Sequence, residues 1–461
     1  MTNGPVPVTR RTSLHGFWSS RMAFILAVSG SAIGLGNVWK FPYITGQNGG
    51  GAFVLVYLCC VFLIGLPIMI SEILIGRRGR RNPITTLGLL GEEEAGHRHW
   101  QLVGVLGIVA AFLILSFYSV IAGWSLAYIV QAASGAFTGA DASRIGSLFS
   151  ETIGVWWKSA LCHTLFMIMT VAIVARGVQR GLEQAVRLLM PSLFLLLIVL
   201  LGYSALSGQF AAGFHYMFGT DFSELTGNSI LIALGQAFFT LSVGIGAVMA
   251  YGAYLPQSTS ITGTSLTVVC ADTVVSLLAG LIIFPIVFAN GLAPDAGPGL
   301  IFHTLPLAFG SMPGGAFFGA LFFLLLSFAA WTSAIGLIEP AVAWAVERRG
   351  FTRAAAATII GVVIWALGFA TVFSFNLLRE VRFLRGTVFD NVDYLASNIL
   401  LPLGGLLITL FAGWVLCQNA SADELDIGTG VRYRAWRFLT RYVAPIAVIL
   451  IFLHAIGVFS P

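Results

Sequence analysis

The sequence predicts an all-α membrane protein of about eleven transmembrane helices, built as an inverted five-helix repeat in which helices 1 and 6 are discontinuous. Three observations lead there. The 461 residues are 57% hydrophobic and only 9% charged, with a mean hydropathy of +0.91, which leaves too little polar surface to cover a soluble globule of this length. Apolar stretches of twenty or so residues, the length a helix needs to cross the hydrocarbon, recur along the whole chain. Two of those stretches also carry matching glycine pairs, Gly34-Leu35-Gly36 and Gly244-Ile245-Gly246.

The spans are expected near 22–44, 52–76, 101–133, 157–175, 182–206, 228–255, 264–290, 314–346, 354–375, 387–417 and 439–459. They divide into a cytoplasmic N-terminal segment (1–21), a first five-helix repeat (22–206), a second, inverted repeat (228–417) and an additional eleventh helix (437–461). The first stretch is too long for a signal peptide and no small-residue cleavage site follows it, so it is expected to be retained. Basic residues near span ends resist translocation. With the N-terminus inside, eighteen of the twenty-four Lys and Arg fall on the cytoplasmic side, the exceptions being Lys40, Arg144, Lys158, Arg379, Arg382 and Arg385. A multi-pass protein of the inner (plasma) membrane is expected, with a cytoplasmic N-terminus and an external C-terminus. The net charge of +5 is then a topology signal and calls for no nucleic acid. Cys59, Cys60, Cys162, Cys270 and Cys417 show no paired spacing, and neither HExxH nor GxxxxGK occurs, so no disulfide framework, metal cluster, phosphate loop or organic cofactor is expected.

Every backbone N–H and C=O in lipid must find a partner inside the protein, so glycines that interrupt a span are tolerated only where the freed groups meet protein, water or a ligand. Gly244 lies five spans and 210 residues after Gly34; an odd number of spans means that the two interrupted segments cross in opposite directions. Paired interruptions in inverted halves mark the binding site of secondary transporters. A GxxxG such as Gly30-xxx-Gly34 is also a common helix-packing face, but Asn37, Lys40, Thr240 and Ser242 are more polarity than packing requires. Asp272, in the body of span 7, costs on the order of 3 kcal/mol at mid-depth unless compensated, and a bound cation would compensate it. Thr332 and Ser333 add adjacent hydroxyls, whose bland role is a bond back to the preceding turn.

Residues 18–57, "WSSRMAFILAVSGSAIGLGNVWKFPYITGQNGGGAFVLVY", closely resemble the first span of the neurotransmitter:sodium symporter family, especially its bacterial amino-acid transporters of the leucine transporter type. The resemblance continues through "GQAFFTLSVGIGA", "DTVVSLLAGLIIFP", "FAAWTSA" and "FDNVD" and covers essentially the whole chain. It implies a sodium-coupled symporter that imports a hydrophobic amino acid, aliphatic or aromatic, by alternating access, with sodium ions, an amino acid and the bilayer as its partners. It implies a first sodium site at Ala32, Asn37, Thr240 and Asp272, and a second at Gly30, Ile33, Ala329, Thr332 and Ser333. The substrate would be held by Ser31, Ala32, Gly34, Leu35, Gly36 and Thr240, with side-chain contacts from Ile114, Tyr118, Phe239, Ser242, Ile245, Ser333 and Leu337. Relatives that carry monoamines have an aspartate where this chain has Gly34, so a substrate with its own carboxylate is favoured. Lys40 and Asp393 match the outer charged pair, Tyr118 and Phe239 the aromatic lid, and Glu347 the inner acid. Gly181 and Pro191 resemble a motif at which some bacterial members unwind span 5.

Three departures bear on mechanism. His15 stands where the inner gate usually has Arg or Lys, so the gate charge comes from a side chain whose charge depends on pH, or from Arg10, Arg11 or Arg21. Asp272 replaces a frequent asparagine, with Ser276 nearby, so a fixed negative charge can stand in for chloride and transport is expected to be chloride-independent. A twelfth span is missing, as in several bacterial members. The competing expectation is a proton-coupled amino-acid permease of the same general fold, against which the paired hydroxyls of Thr332 and Ser333 speak. An enzyme is not expected, because no convergent reactive side chains accompany Asp272, His163 or His454.

Overall fold

The structure, a computed structural model, describes residues 11–294, 299–455 and 458. Arg10 and part of the expected C-terminal helix lie outside them. Nine helices among the described residues are long and apolar enough to cross a bilayer: Gly51–Gly79 (span 2), Gln101–Ala133 (span 3), Trp156–Val174 (span 4), Val178–Ala205 (span 5), Ile261–Ala289 (span 7), Gly315–Arg349 (span 8), Arg353–Ser374 (span 9), Val388–Val415 (span 10) and Val431–Leu453 (span 11). Two further spans are broken. Span 1 consists of Arg21–Ala32 and Gly36–Gln47, bent by 52°, and span 6 of Gly227–Thr240 and Ala247–Gly252.

Local chemistry explains both breaks. Ser20 caps span 1 by accepting from the Ala23 amide at 3.1 Å, and the helix runs to Ala32, where Ile33 turns extended (φ −68°, ψ 111°). The chain re-enters helix at Gly36 through a π-helical turn, Gly36–Lys40, with Pro42 in the first turn of the α-helix that follows, where no N–H is needed. Span 6 starts on a Thr226/Ser229 capping box and stops at Thr240. In its break Ser242, Gly244 and Gly246 all take positive φ (50°, 93° and 78°). Glycine adopts that region freely, whereas Ser242 is held in it against its preference, a strain that gathers at functional sites.

Burial separates centre from rim. In its most apolar stretch span 8 is 78% buried, against 33% for span 5, and spans 8 and 3 pack along one another. Small residues let backbones meet where the broken spans run: a Cβ on Gly76 of span 2 would sit 2.0 Å from the Met249 carbonyl oxygen, and one on Gly336 of span 8 would sit 2.1 Å from Ser31 Oγ.

Hydropathy misplaces some ends. Span 11 begins at Val431, ahead of the expected 439, because Val431–Phe438 buries Tyr433 and Trp436 while exposing Arg432 and Arg434. Short connecting helices (Pro83–Ala95, Ala142–Gly154, Phe210–Phe218, Leu300–Ser311, Gln418–Leu425) also escape a search for apolar spans.

Gly76→Val should lower the melting temperature in detergent, since overpacking against fixed backbone costs about 1–3 kcal/mol. Gly202→Ala, whose added methyl would meet nothing within 4 Å, should not. Equal melting temperatures would contradict the close approach of spans 2 and 6.

Candidate ion and substrate site

The two breaks lie against each other in mid-structure. Gln236 of span 6 donates to the Gly36 carbonyl at 2.9 Å, and the Ser242 hydroxyl donates to the Ser31 carbonyl at 3.3 Å. On one side of this contact Asn37 is fully buried. Its Oδ1 accepts from the Gly34 amide at 2.9 Å, while its Nδ2 donates to Asp272 Oδ1 at 2.8 Å and Ser276 Oγ at 2.9 Å. Asp272 Oδ2 is buried with no hydrogen-bond partner. The Thr240 hydroxyl is close enough to act on Asp272, but it donates to the carbonyls of Gln236 (3.1 Å) and Ala237 (3.4 Å). An unpartnered carboxylate oxygen near a threonine hydroxyl offers hard oxygen donors of the kind an alkali cation takes.

A second group of oxygens gathers where span 1 stops against span 8. Ser333 Oγ reaches the carbonyls of Ser31 and Ile33, both at 3.0 Å, and of Gly30 at 3.5 Å. Thr332 makes the back-bond that its position allows, to the carbonyls of Phe328 and Ala329, both at 3.1 Å, which leaves its lone pairs free. Gly30 keeps this contact close, since a Cβ would sit 3.2 Å from both Met190 Sδ and Thr332 Cβ and would need them to give by a few tenths of an ångström.

Between the groups lies a small cavity. The seven side chains expected to contact substrate (Ile114, Tyr118, Phe239, Ser242, Ile245, Ser333 and Leu337) all line it, with Ala32, Gly34 and Gly36 of span 1. The Leu35 amide donates to the Tyr118 hydroxyl at 3.1 Å. A Cβ on Gly34 would meet Ser333 Oγ at 2.5 Å and the Tyr118 hydroxyl at 2.6 Å, so this site has no room for any side chain at 34.

On the N-terminal face the molecule is closed. Trp18 is pinned to the end of span 6 by its amide on the Tyr254 carbonyl (3.0 Å) and its indole N–H on the Tyr251 carbonyl (3.1 Å). His15 Nε2 lies 3.0 Å from Glu347 Oε1, and Glu347 also accepts from the Asn82 amide at 3.0 Å. Arg11 pairs instead with Glu93. On the opposite face the Lys40 ammonium sits 4.1 Å from the centre of the Phe239 ring, and Asp393 accepts from the Ser397 hydroxyl at 2.7 Å. Among the described residues, no direct ion pair joins Lys40 to Asp393 in this conformation.

Comparison with known proteins places this geometry. The model of the sodium:neurotransmitter symporter family matches residues 15–144 and 132–461. The chain belongs to that family. The uncharacterized sodium-dependent transporter YhdH of Bacillus subtilis is 39% identical over 446 residues, 96% of this chain and 98% of its own. The sodium- and chloride-dependent taurine transporter of Bos taurus is 25% identical over 96% and 78%. The crystal structure of MhsT in complex with L-phenylalanine matches with a TM-score of 0.88 and 42% identity, over 95% of this chain and 99% of that one. The symporter is therefore a sodium-dependent, multi-pass membrane transporter and not an enzyme, and the proton-coupled expectation is set aside.

Several residues that shape the symporter's site went unread in the sequence. Glu72 of span 2 is buried and accepts from the Gly244 amide at 2.6 Å and the Met249 amide at 3.3 Å, bracketing the break in span 6. The rule that singled out Asp272, an acid within a span, applied equally to it. Tyr57 lies 3.2 Å from the Thr240 hydroxyl, Gln236 ties the two breaks together, and Leu401 of span 10 lines the cavity. Nothing in their types or spacing marks them.

Glu72→Ala leaves two buried amides unpaired, at about 1–3 kcal/mol each. It should lower the melting temperature and reduce sodium-dependent uptake by about tenfold or more, while Glu72→Gln, which keeps an acceptor oxygen, should fall between the two. Uptake and thermal stability like the wild type in Glu72→Ala would show that the carboxylate does not hold the break.

Proposed function

We propose that this symporter imports a hydrophobic zwitterionic amino acid together with two sodium ions, without chloride, from outside a cell whose cytoplasm faces its N-terminal side. The observation that supports this most directly is the unpartnered, buried Asp272 Oδ2 beside Asn37 and Thr240, next to the opened backbone of span 1. The first sodium would take Asp272, Asn37, Thr240 and the Ala32 carbonyl, with the substrate carboxylate completing the shell. The second would take the carbonyls of Gly30, Ile33 and Ala329 with the hydroxyls of Thr332 and Ser333. Both are cargo, and each contributes about 2.3 kcal/mol on crossing a 100 mV inside-negative potential.

The substrate's carboxylate would meet the Leu35 and Gly36 amides, at the positive end of the outer half of span 1, and the Tyr118 hydroxyl. Its ammonium would meet the carbonyls of Ala32, Phe239 and Thr240. A charged side chain would find no partner among Ile114, Ile245 and Leu337, and the phenylalanine bound to MhsT agrees with an apolar choice. Coupling follows because carboxylate and ion share one shell. Lys40 and Asp393 would draw together as the outer side closes over Phe239 and Tyr118, and His15–Glu347 with Trp18 would part as the inner side opens. The fixed charge of Asp272 takes the place of an anion, which is why the chloride dependence in the name of the taurine transporter is not carried over.

Uptake into proteoliposomes of a radiolabelled panel from alanine to tryptophan is expected in sodium and not in choline, and should be unchanged when gluconate replaces chloride. Asn37→Ala should weaken sodium-dependent binding by about ten- to a hundredfold, the loss of one contact to a charged group. Normal transport by that variant would remove the ion assignment, and uptake that vanishes in gluconate would remove the role given to Asp272.

A further inference from the structure

Two spaces lie in line between the opposite face and the breaks. The outer one, a vestibule of about 450 Å³, is bounded by Lys40 and Arg385 near its rim; the inner one is the site cavity, with about 30 Å³ of free volume. Only Phe239 and Leu401 line both, so these two side chains form the septum. The inner cavity is much the tighter of the two, and the free volume on the far side of the septum is the space into which its wall can give when a bulky occupant enters.

The two halves of the septum are mounted differently. Phe239 is only half-buried and sits one residue before span 6 stops, with the Lys40 ammonium over its ring. Leu401 is 3% exposed and follows a π-helical turn, Tyr394–Leu400, ahead of Pro402. Span 10 also touches the break of span 6 through backbone. A Cβ on Gly244 would sit 2.6 Å from the Leu401 carbonyl oxygen, and one on Gly404 would sit 2.2 Å from the Gly244 carbonyl oxygen. A methyl on Gly405 would sit 2.4 Å from the Phe238 ring. The backbone of Leu401 is thereby held against the same segment that carries Ser242 and Ile245, whereas Phe239 is the more exposed of the two and stands at the end of its helix.

We infer that Leu401 is the fixed half of the septum, against which Phe239 closes, and that it sets the largest side chain the site admits. The size limit rests on the proposal that the cavity holds an amino acid; the septum itself does not. Side-chain volume at one wall of an apolar pocket discriminates by about 10- to 200-fold per methylene, so Leu401 is a specificity-determining residue for bulky substrates.

Two readouts on the full chain test this. On a background with the five native cysteines replaced by serine, Leu337→Cys places a thiol in the cavity, and a membrane-impermeant thiol reagent is added from the vestibule side. Leu401→Ala should speed labelling by about tenfold, Leu401→Val by less, and Leu401→Phe should slow it. In parallel, sodium-dependent binding of leucine, phenylalanine and tryptophan is measured for the same Leu401 variants, with Cys59, Cys60, Cys162, Cys270 and Cys417 retained. Leu401→Ala should raise the tryptophan-to-leucine affinity ratio about tenfold, and Leu401→Phe should cost phenylalanine and tryptophan more than leucine. Labelling and affinity ratios that stay within about twofold of the parent in both Leu401→Ala and Leu401→Val would overturn the inference. Faster labelling in a protein that binds no apolar amino acid would keep the septum and remove the amino-acid reading instead.

Discussion

A peptide group in the middle of a bilayer has no water to turn to, and this single constraint governs the arrangement of the molecule. Wherever the chain leaves helix at depth, another part of the protein must present a donor or acceptor at the right place. At the break in span 6 that part is Glu72, whose carboxylate takes the amides of Gly244 and Met249. A carboxyl group buried to this extent is tolerated because each of its oxygens accepts from a backbone N–H, and in return it fixes the far end of span 6 to span 2. The backbone contact of Gly76 with Met249 then follows, since the carboxylate reaches the break only if the two helices touch.

The break in span 1 is satisfied in a different currency. Its carbonyls at Gly30, Ser31 and Ile33 accept from Ser333, the Ser31 carbonyl also accepts from Ser242, the Gly36 carbonyl accepts from Gln236, and its amides at Gly34 and Leu35 donate to Asn37 and Tyr118. These partners are neutral, and most are hydroxyls that turn on a single bond. A neutral hydrogen bond contributes about 1 kcal/mol net, so each can be exchanged for a contact to an ion or a zwitterion without dismantling the fold. One break is therefore held by a carboxylate and the other by neutral groups, which an ion and a zwitterion would replace under the proposed function. Their contact through Gln236 and Ser242 lets a change at the second be felt at the first.

The same contrast explains what was legible beforehand. Broken spans, opposite direction and the positions of the apolar stretches follow from composition, glycine placement and parity, because lipid enforces them residue by residue. The lining of the cavity was legible through resemblance, since Gly34, Tyr118 and Ser333 occupy matching positions and the structure brings them within one side chain of one another. Partnerships between distant elements were not. The pairing of Glu72 with Gly244, separated by 172 positions, or of Gln236 with Gly36, separated by 200, leaves no periodic trace. The early start of span 11 was hidden for a related reason, as Arg432 and Arg434 dominate the hydropathy of a turn whose Tyr433 and Trp436 are nonetheless buried.

The N-terminal segment links this local chemistry to the scale of the whole molecule. Trp18 and Ser19 lead directly into the N-terminal half of span 1, and both are tied to other elements: Trp18 to the end of span 6, Ser19 to Glu183 in the π-helical start of span 5. Glu183 in turn pairs with Arg187 one turn further along span 5. A rigid half-helix whose upper end holds exchangeable partners and whose lower end is fastened by a few hydrogen bonds is a lever with two ends. On the proposed function, strengthening contacts at Asn37 and Ser333 would favour the orientation in which the lower fastenings hold, and loosening them would favour one in which they part. Because a ligand shifts such an equilibrium only by the difference in its affinity for the two orientations, the groups that would matter in the proposed cycle are those whose geometry would change if the half-helix tilted. Glu72 belongs to the frame against which that tilt is measured.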